Sequence, residues 1–398
     1  MAEAEGHPPS IPLGFPATKT RFPRKDIMLL FTPGPTPVPE AVRLAMGAPT
    51  IHHRTPEFEE IFSNVRRRSL ELLDMPECVI LASSGTGAME ASVVNLCRGK
   101  ALTVNAGKFG ERFGKIVVSA GLKLRELEYS WDTPASVEDI LSALKEEGDV
   151  DTLCIQICES AGGLRHPVEE ISKAVKEYDS DIAVIADGIT AVGVEKLDTS
   201  NIDALITGSQ KALMLPPGLA MIGLSEMAVG RIGEGRGYYF NLASEISKQR
   251  KGTTAYTAPT TLIMGLEAVF GEIEKNGGFE RLYLETASRA KANEMALKAI
   301  GFDLYPSVPA PSMSAVFDEE ADTIRTILKR DYGVNIAGGQ DHLKGKLFRI
   351  NQMGLIPVYE ASWVVNAIEM ALSDMGRRDY DGSASRVFNE VYFSEMKR

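Results

Sequence analysis

Residues 206–218, ITGSQKALMLPPG, hold one lysine, Lys211, between Gly208, Ser209 and Gln210 and an apolar run that ends in Pro216, Pro217 and Gly218. A surface helix surrounds a lysine with polar residues. Here the neighbours are small, apolar or chain-breaking, so the ammonium is either buried at a cost or used as an amine. Two other stretches carry matching chemistry. IAVIAD ends in Asp187, 24 residues before the lysine; a carboxylate at a strand end either pairs with a cationic ring nitrogen or serves as a cap or a solvated loop residue. After CVILA come Ser83, Ser84, Gly85, Thr86 and Gly87, then a helical pattern. Free backbone N–H groups and a helix dipole there suit a phosphate, and the same residues also suit a simple N-cap. An amine for an aldehyde, a counter-charge for a pyridinium nitrogen and an anchor for a phosphate are together what pyridoxal phosphate needs. The combination is more specific than any of its members.

The elements that must position these groups are legible as alternating patterns. PEFEEIFSNVRRRSLELL reads as an amphipathic helix, CVILAS as a strand, TGAMEASVVNLC as a helix, ALTVNA as a strand and KFGERFGKIVVSAG as a helix. TLCIQIC, IAVIAD, ALITGS and AMIGLS read as further strands, with the helix PVEEISKAVKEYD after the first of them. Strands that are apolar on both faces and alternate with helices predict a mostly parallel α/β sheet covered on both sides. In such sheets ligands lie beyond the carboxyl ends of the strands, which is where Ser83–Gly87, Asp187 and Lys211 fall. A long helical stretch over 258–300 leads to a smaller α+β lobe, with strands at MSAVFD, VNIA and LFRIN and helices at ADTIRTILKRDY and EASWVVNAIEMALSDM. The expected division is a flexible arm over 1–26, a large α/β domain over 27–275 and a small α+β domain over 276–398, with about 27–45 packed against the latter. The polar tail RRDYDGSASRVFNEVYFSEMKR is either a helix on a neighbour or unstructured.

Composition narrows the class. The 398 residues are 44% hydrophobic and 24% charged, with a formal net charge of −11, ordinary for a globular protein and unsuited to a nucleic-acid backbone, which needs clustered Lys and Arg. Cys78, Cys97, Cys154 and Cys158 lie in apolar segments without CxxC spacing, which reads as reduced, buried thiols rather than disulfides or a zinc site. The Pro-rich N-terminus has no apolar core of a signal peptide, and no later run reaches the length of a membrane span. The expectation is a cytoplasmic protein with no membrane, nucleic-acid or metal partner.

Taken together, FTPGPTPVPE, IHHRTPEF, SSGTGAMEA, NAGKFGERF, ESAGGLRHPVEEI, VIADGITAVG, TGSQKALMLPPG and GGQDHLKGKLFRINQMG resemble the class V aminotransferases of the alanine–glyoxylate and serine–pyruvate group. The resemblance runs from about Leu30 to about Gly354. It implies the type I pyridoxal-phosphate fold, with a seven-stranded sheet, and pyridoxal 5'-phosphate as cofactor. By the same resemblance Lys211 condenses with the cofactor's aldehyde and Asp187 keeps its pyridine nitrogen protonated. Ser84, Gly85 and Thr86 hold the phosphate with Gln210 beside them. Phe109 stacks on the ring where many members have Trp, Ser160 lies near the phenolic oxygen, and Ile189 lines the cofactor site. Thr257 reaches the phosphate of a partner subunit, which implies a homodimer with shared active sites. Arg349 binds the substrate carboxylate through its planar fork, where an isolated strand arginine would be read as a salt bridge. Gly34 brings backbone close to the substrate.

The implied reaction is ping-pong transamination between alanine or serine and glyoxylate or pyruvate. Aspartate or an aminophosphonate is the alternative donor. Thr254 stands where some members carry a tyrosine, so that contact is weaker, absent or supplied by Tyr256. His52, His53 and Arg54 either border the substrate pocket or are structural. A cysteine desulfurase or lyase on the same fold is disfavoured, because desulfurases usually carry His where Gln210 stands and need an exposed, activated thiol. A non-catalytic scaffold subunit would have lost Lys211, Asp187 or Arg349, and all three are present. A nicotinamide dehydrogenase would open its first strand-to-helix turn with GxGxxG, which is absent.

Overall fold

The structure is a computed structural model that describes residues 28–397. The arm expected over 1–26 lies outside the described residues. Seven strands form the main sheet: β1 (Glu77–Leu81), β2 (Lys100–Asn105), β3 (Lys123–Glu128), β4 (Thr152–Gln156), β5 (Ala183–Asp187), β6 (Ala204–Gly208) and β7 (Ala220–Leu224). Their order across the sheet is β1-β7-β6-β5-β4-β2-β3. Only β7 runs antiparallel, pairing with β1 and β6; the other pairs are parallel. Five of these strands, β1 and β4 to β7, are buried at every position. This is the two-sided burial that their continuous apolar sequences require. Separate hydrophobic clusters cover the two faces.

Two elements escape a reading based on apolar runs. Strand β3, KLRELE, is polar and only partly buried; it sits at the sheet edge, where charged side chains block pairing with another chain. The helix Val137–Glu147 follows it, capped by the Ser136 hydroxyl, which accepts from the Asp139 N–H. The helical stretch over 258–300 is two helices, Thr260–Lys275 and Gly278–Ala299, broken where Gly277 (φ 100°) and Gly278 (φ 79°) adopt left-handed backbone. An L side chain resists that conformation, so the glycine pair lets the chain turn.

A second sheet of four strands has the order Leu29–Phe31, Val334–Gly338, Leu347–Asn351, Met313–Phe317. Its first pair is parallel, so the segment before the main sheet contributes a strand to the later lobe. The polar tail forms a helix, Ser383–Glu395, packed on Gly278–Ala299 and Val358–Asp374. Phe388 on it is fully buried and stacks on Tyr392. Phe388→Ala should therefore cost about 3–5 kcal/mol, read as a lower urea midpoint at unchanged slope; a surface tail would show no shift. Among the described residues no helix is long and apolar enough to cross a membrane.

Candidate active site

Three strand ends converge on one cavity. Beyond β1, the helix Gly85–Leu96 begins with Ser84 at its N-cap, and the Ser84 side chain makes no capping bond. A Cβ on Gly85 would lie 2.3 Å from Ile189 Cδ1, so glycine there lets Ile189 rest against the helix start. Strand β5 delivers Asp187, 5% exposed, whose Oδ1 accepts the Ile189 N–H at 2.9 Å. Beyond β6 the loop closes on Ser209. Its hydroxyl donates to Pro216 O (2.7 Å) and accepts the Leu219 N–H (3.2 Å), and its carbonyl accepts the Leu215 N–H (3.0 Å). The closed loop fixes where Lys211 leaves the backbone. Across from it, Thr36 donates its N–H to Gln210 O (3.1 Å) and its hydroxyl to Lys211 O (2.7 Å). Lys211 Nζ donates to Pro33 O at 2.6 Å. Gly34 has φ 105°, and a Cβ on it would stand 2.5 Å from that Nζ, so only glycine allows the approach.

The cavity has a volume of about 190 Å³ and is lined by Ser84, Gly85, Thr86, Phe109, Ser160, Asp187, Ile189, Gln210 and Lys211, together with Arg112, Cys158 and Thr190. Burial lowers the Lys211 pKa to about 8 against the pull of Asp187, and Arg349 and Arg112 lower it further. Burial raises Asp187 to about 6, opposed by the Ile189 N–H and by the charges of Lys211 and Arg112. A lysine near 8 carries a useful fraction of free amine at neutral pH, the form that attacks a carbonyl or takes a proton. Capture of an aldehyde by the chain without cofactor should accelerate as pH rises through about 8, because the protonated amine below it is not nucleophilic. Stopped-flow absorbance on mixing with pyridoxal phosphate measures this; a rate flat from pH 6 to 10 would contradict the lowered amine.

Arg349 enters from the second sheet, on Leu347–Asn351, 8% exposed. Its cross-strand neighbours are Ala315 and Ala337, and such small side chains on the same face leave room for a guanidinium. Nε and Nη2 donate to Gly338 O (3.2 and 2.7 Å), and Nη1 donates to Ser160 O (2.5 Å). Burial lowers its pKa to about 10 while the Glu159 charge holds it up, and it stays cationic at neutral pH.

Thr257 is not brought into this cavity. It is exposed and lines a small cleft beside Tyr239 and Tyr256. Thr254 is buried and donates to Tyr256 O, and the Tyr256 hydroxyl donates to Tyr238 O. The His52 and His53 rings lie 4.7 Å apart on their loop, and no group of metal-ligating side chains occurs among the described residues. All four cysteines are buried and unpaired. Three cavity residues, Arg112, Cys158 and Thr190, lie outside the expected set, as does Thr36, which bonds the backbone that carries Lys211. Arg112 donates to Thr86 Oγ1 (2.9 Å) and lies 4.7 Å from the Phe109 ring centre. Its position three residues after Phe109 was a usable signal, since i and i+3 share a helix face.

The cavity suits a phosphorylated pyridine aldehyde on several independent counts. The helix start has no side-chain cap, which leaves its first backbone N–H groups for an anion, and glycine at position 85 lets Ile189 close in beside them. A buried carboxylate and an enclosed amine complete the set. This architecture is that of a type I pyridoxal-phosphate-dependent transferase. The family description "Aminotransferase class-V" matches residues 29–352. An uncharacterized aminotransferase of Helicobacter pylori is 50% identical over 367 residues, covering 92% of this chain and 100% of that protein. A serine–glyoxylate aminotransferase of Hyphomicrobium methylovorum is 29% identical, covering 92% and 94%. The solved aspartate aminotransferase of subgroup IV from Thermus thermophilus superposes with a TM-score of 0.80 at 32% identity, over 87% of this chain and 99% of that one. The chain belongs to the class V aminotransferases, a family of pyridoxal-phosphate-dependent enzymes that act on amino acids and 2-oxo acids.

Proposed function

We propose that this chain moves the amino group of a small amino acid, alanine or serine, to glyoxylate or pyruvate in two half-reactions of ping-pong order. The observation that carries this reading is the Ser160 carbonyl: Ser160 lines the cavity together with Lys211, and its carbonyl accepts from the buried Arg349 fork just behind that wall. Pyridoxal phosphate, when bound, supplies the electron sink that acidifies the donor's Cα. Gly85 and Thr86 N–H groups, with Ser84 and Gln210, hold its phosphate. Phe109 and Ile189 flank its ring, and Asp187 pairs with its nitrogen. Lys211 Nζ removes the Cα proton and later returns it, and Arg349 binds the carboxylate that amino acid and 2-oxo acid share. The donor leaves as a 2-oxo acid and the acceptor leaves as an amino acid, so atoms balance over the two halves.

The enzyme in this reading is a cytoplasmic homodimer, in keeping with four unpaired thiols. Thr257, exposed and outside its own cavity, reaches the phosphate in the other subunit's site. Aspartate is the second candidate donor, favoured by the 32% identity to the Thermus thermophilus enzyme. The test is a screen of single amino acids against glyoxylate and pyruvate, with each half-reaction followed separately by the loss and recovery of the visible cofactor band. Parallel double-reciprocal lines for alanine or serine support the proposal. Aspartate turned over faster than either selects the second reading.

A further inference from the structure

Glu159 is fully buried, and backbone donors hold its carboxylate from two sides. Phe109 N–H and Gly110 N–H donate to Oε2 at 2.9 and 3.0 Å, and Ala161 N–H donates to Oε1 at 3.0 Å. The first two belong to the opening turn of the helix Lys108–Ser119, which carries Phe109 and Arg112. The third belongs to the loop whose Ser160 carbonyl accepts Arg349 Nη1. Glycines close this joint on every side. A Cβ on Gly107 would stand 2.6 Å from Glu159 Cγ and Cδ, one on Gly110 would stand 2.5 Å from Val104 O, and one on Gly162 would stand 2.3 Å from Trp131 O. The parts therefore have little slack.

From this joint we infer that Glu159 is a positioning residue that locks the Phe109 ring and the Arg349 fork into one register, so that cofactor stacking and capture of the substrate carboxylate are set together. The inference rests on the cofactor and substrate reading proposed above. Two carboxylate oxygens are needed because donors arrive from both sides. A glutamine would offer one oxygen and turn an N–H₂ toward another N–H. Burial raises the Glu159 pKa to about 7, the Ala161, Gly110 and Phe109 N–H groups oppose that shift and the Asp187 charge adds to it, so the three backbone donors are what favour the ionised form here.

The experiment compares wild type, Glu159→Gln and Glu159→Asp in the full chain. It reads the Kd for pyridoxal phosphate by absorbance titration, KM and kcat for the best donor, and the melting temperature. Hydrogen bonds to a charged group are worth about tenfold or more each. Glu159→Gln should therefore raise cofactor Kd and donor KM together by about tenfold while kcat falls less. Combined with Arg349→Lys, its effect on donor KM should be less than multiplicative. Glu159→Asp keeps both acceptors one methylene short and carries the same test if the glutamine variant does not fold; it should raise both constants in parallel by a smaller factor. A lowered melting temperature with Kd and KM both within about twofold of wild type would overturn the inference, as would independent, multiplicative effects. Absence of cofactor binding by the wild type would instead overturn the reading beneath it and the inference with it.

Discussion

Replacing Lys211 by alanine should remove the lysine-dependent visible band of the cofactor and lower turnover by about 10³-fold or more, the range for deleting a general base that also acts as a nucleophile, the role proposed for this amine. The reason lies in how many constraints this one amine satisfies. It sits beside Asp187, at a cavity end closed by the Ser209 loop, with its Nζ 2.6 Å from Pro33 O and no room for a Cβ at Gly34. Among the described residues no other lysine lines that cavity. Lys211→Arg keeps the charge but loses the titratable amine, because a guanidinium is not deprotonated near neutral pH; it should be as inactive as the alanine variant. Added methylamine should return part of the lost rate to Lys211→Ala, through the cavity the side chain vacates, and little to Lys211→Arg. Normal turnover by either variant would sink the assignment, and unchanged circular dichroism would show that the loss is chemical rather than structural.

What the sequence revealed, and what it hid, follows from how local each constraint is. The buried strands of the main sheet are visible because burial on both faces demands continuous apolar runs, as in IAVIAD and ALITGS. Strand β3 is hidden because the same sheet ends there, and an edge wants KLRELE. The break at Gly277–Gly278 lies between two helical patterns that read as one long stretch, and the left-handed backbone of both glycines makes it. At the site, Asp187 and Lys211 stand out because they are charges set directly after apolar strands, and Ser84–Thr86 because small residues precede a helix. Thr36 is different: it donates to the carbonyl of Lys211, 175 positions away, and nothing in FTPGPTP announces that partner. Arg112 could have been paired with Phe109 by helix spacing, but its bond to Thr86 depends on how two helices meet. Arg349 is the extreme case. Its strand position suggests a salt bridge; the structure instead gives it carbonyl acceptors, which leaves its charge available.

That available charge makes the second large effect predictable. A guanidinium has five N–H donors, and three hydrogen bonds from Arg349 go to Gly338 O and Ser160 O. These hold Nε, Nη1 and Nη2 in place and leave one N–H on each terminal nitrogen, the two donors that the proposed carboxylate contact requires. Losing one side of a buried, hydrogen-bonded charge pair costs about 2–5 kcal/mol, so Arg349→Ala should raise KM for the amino acid and for the 2-oxo acid by about 10²-fold or more. Arg349→Lys should recover little, because a lysine amine cannot reach both backbone acceptors and still present two parallel donors. The effect should fall mainly on KM, since the carboxylate is bound in ground state and transition state alike. Discrimination supplies the sharper readout. The wild type should strongly prefer alanine to ethylamine, which lacks only the carboxylate, and Arg349→Ala should treat the two nearly alike. If the variant kept its preference for alanine, the carboxylate would have to be bound elsewhere, and the arginine would be only a tie between Gly338 and Ser160.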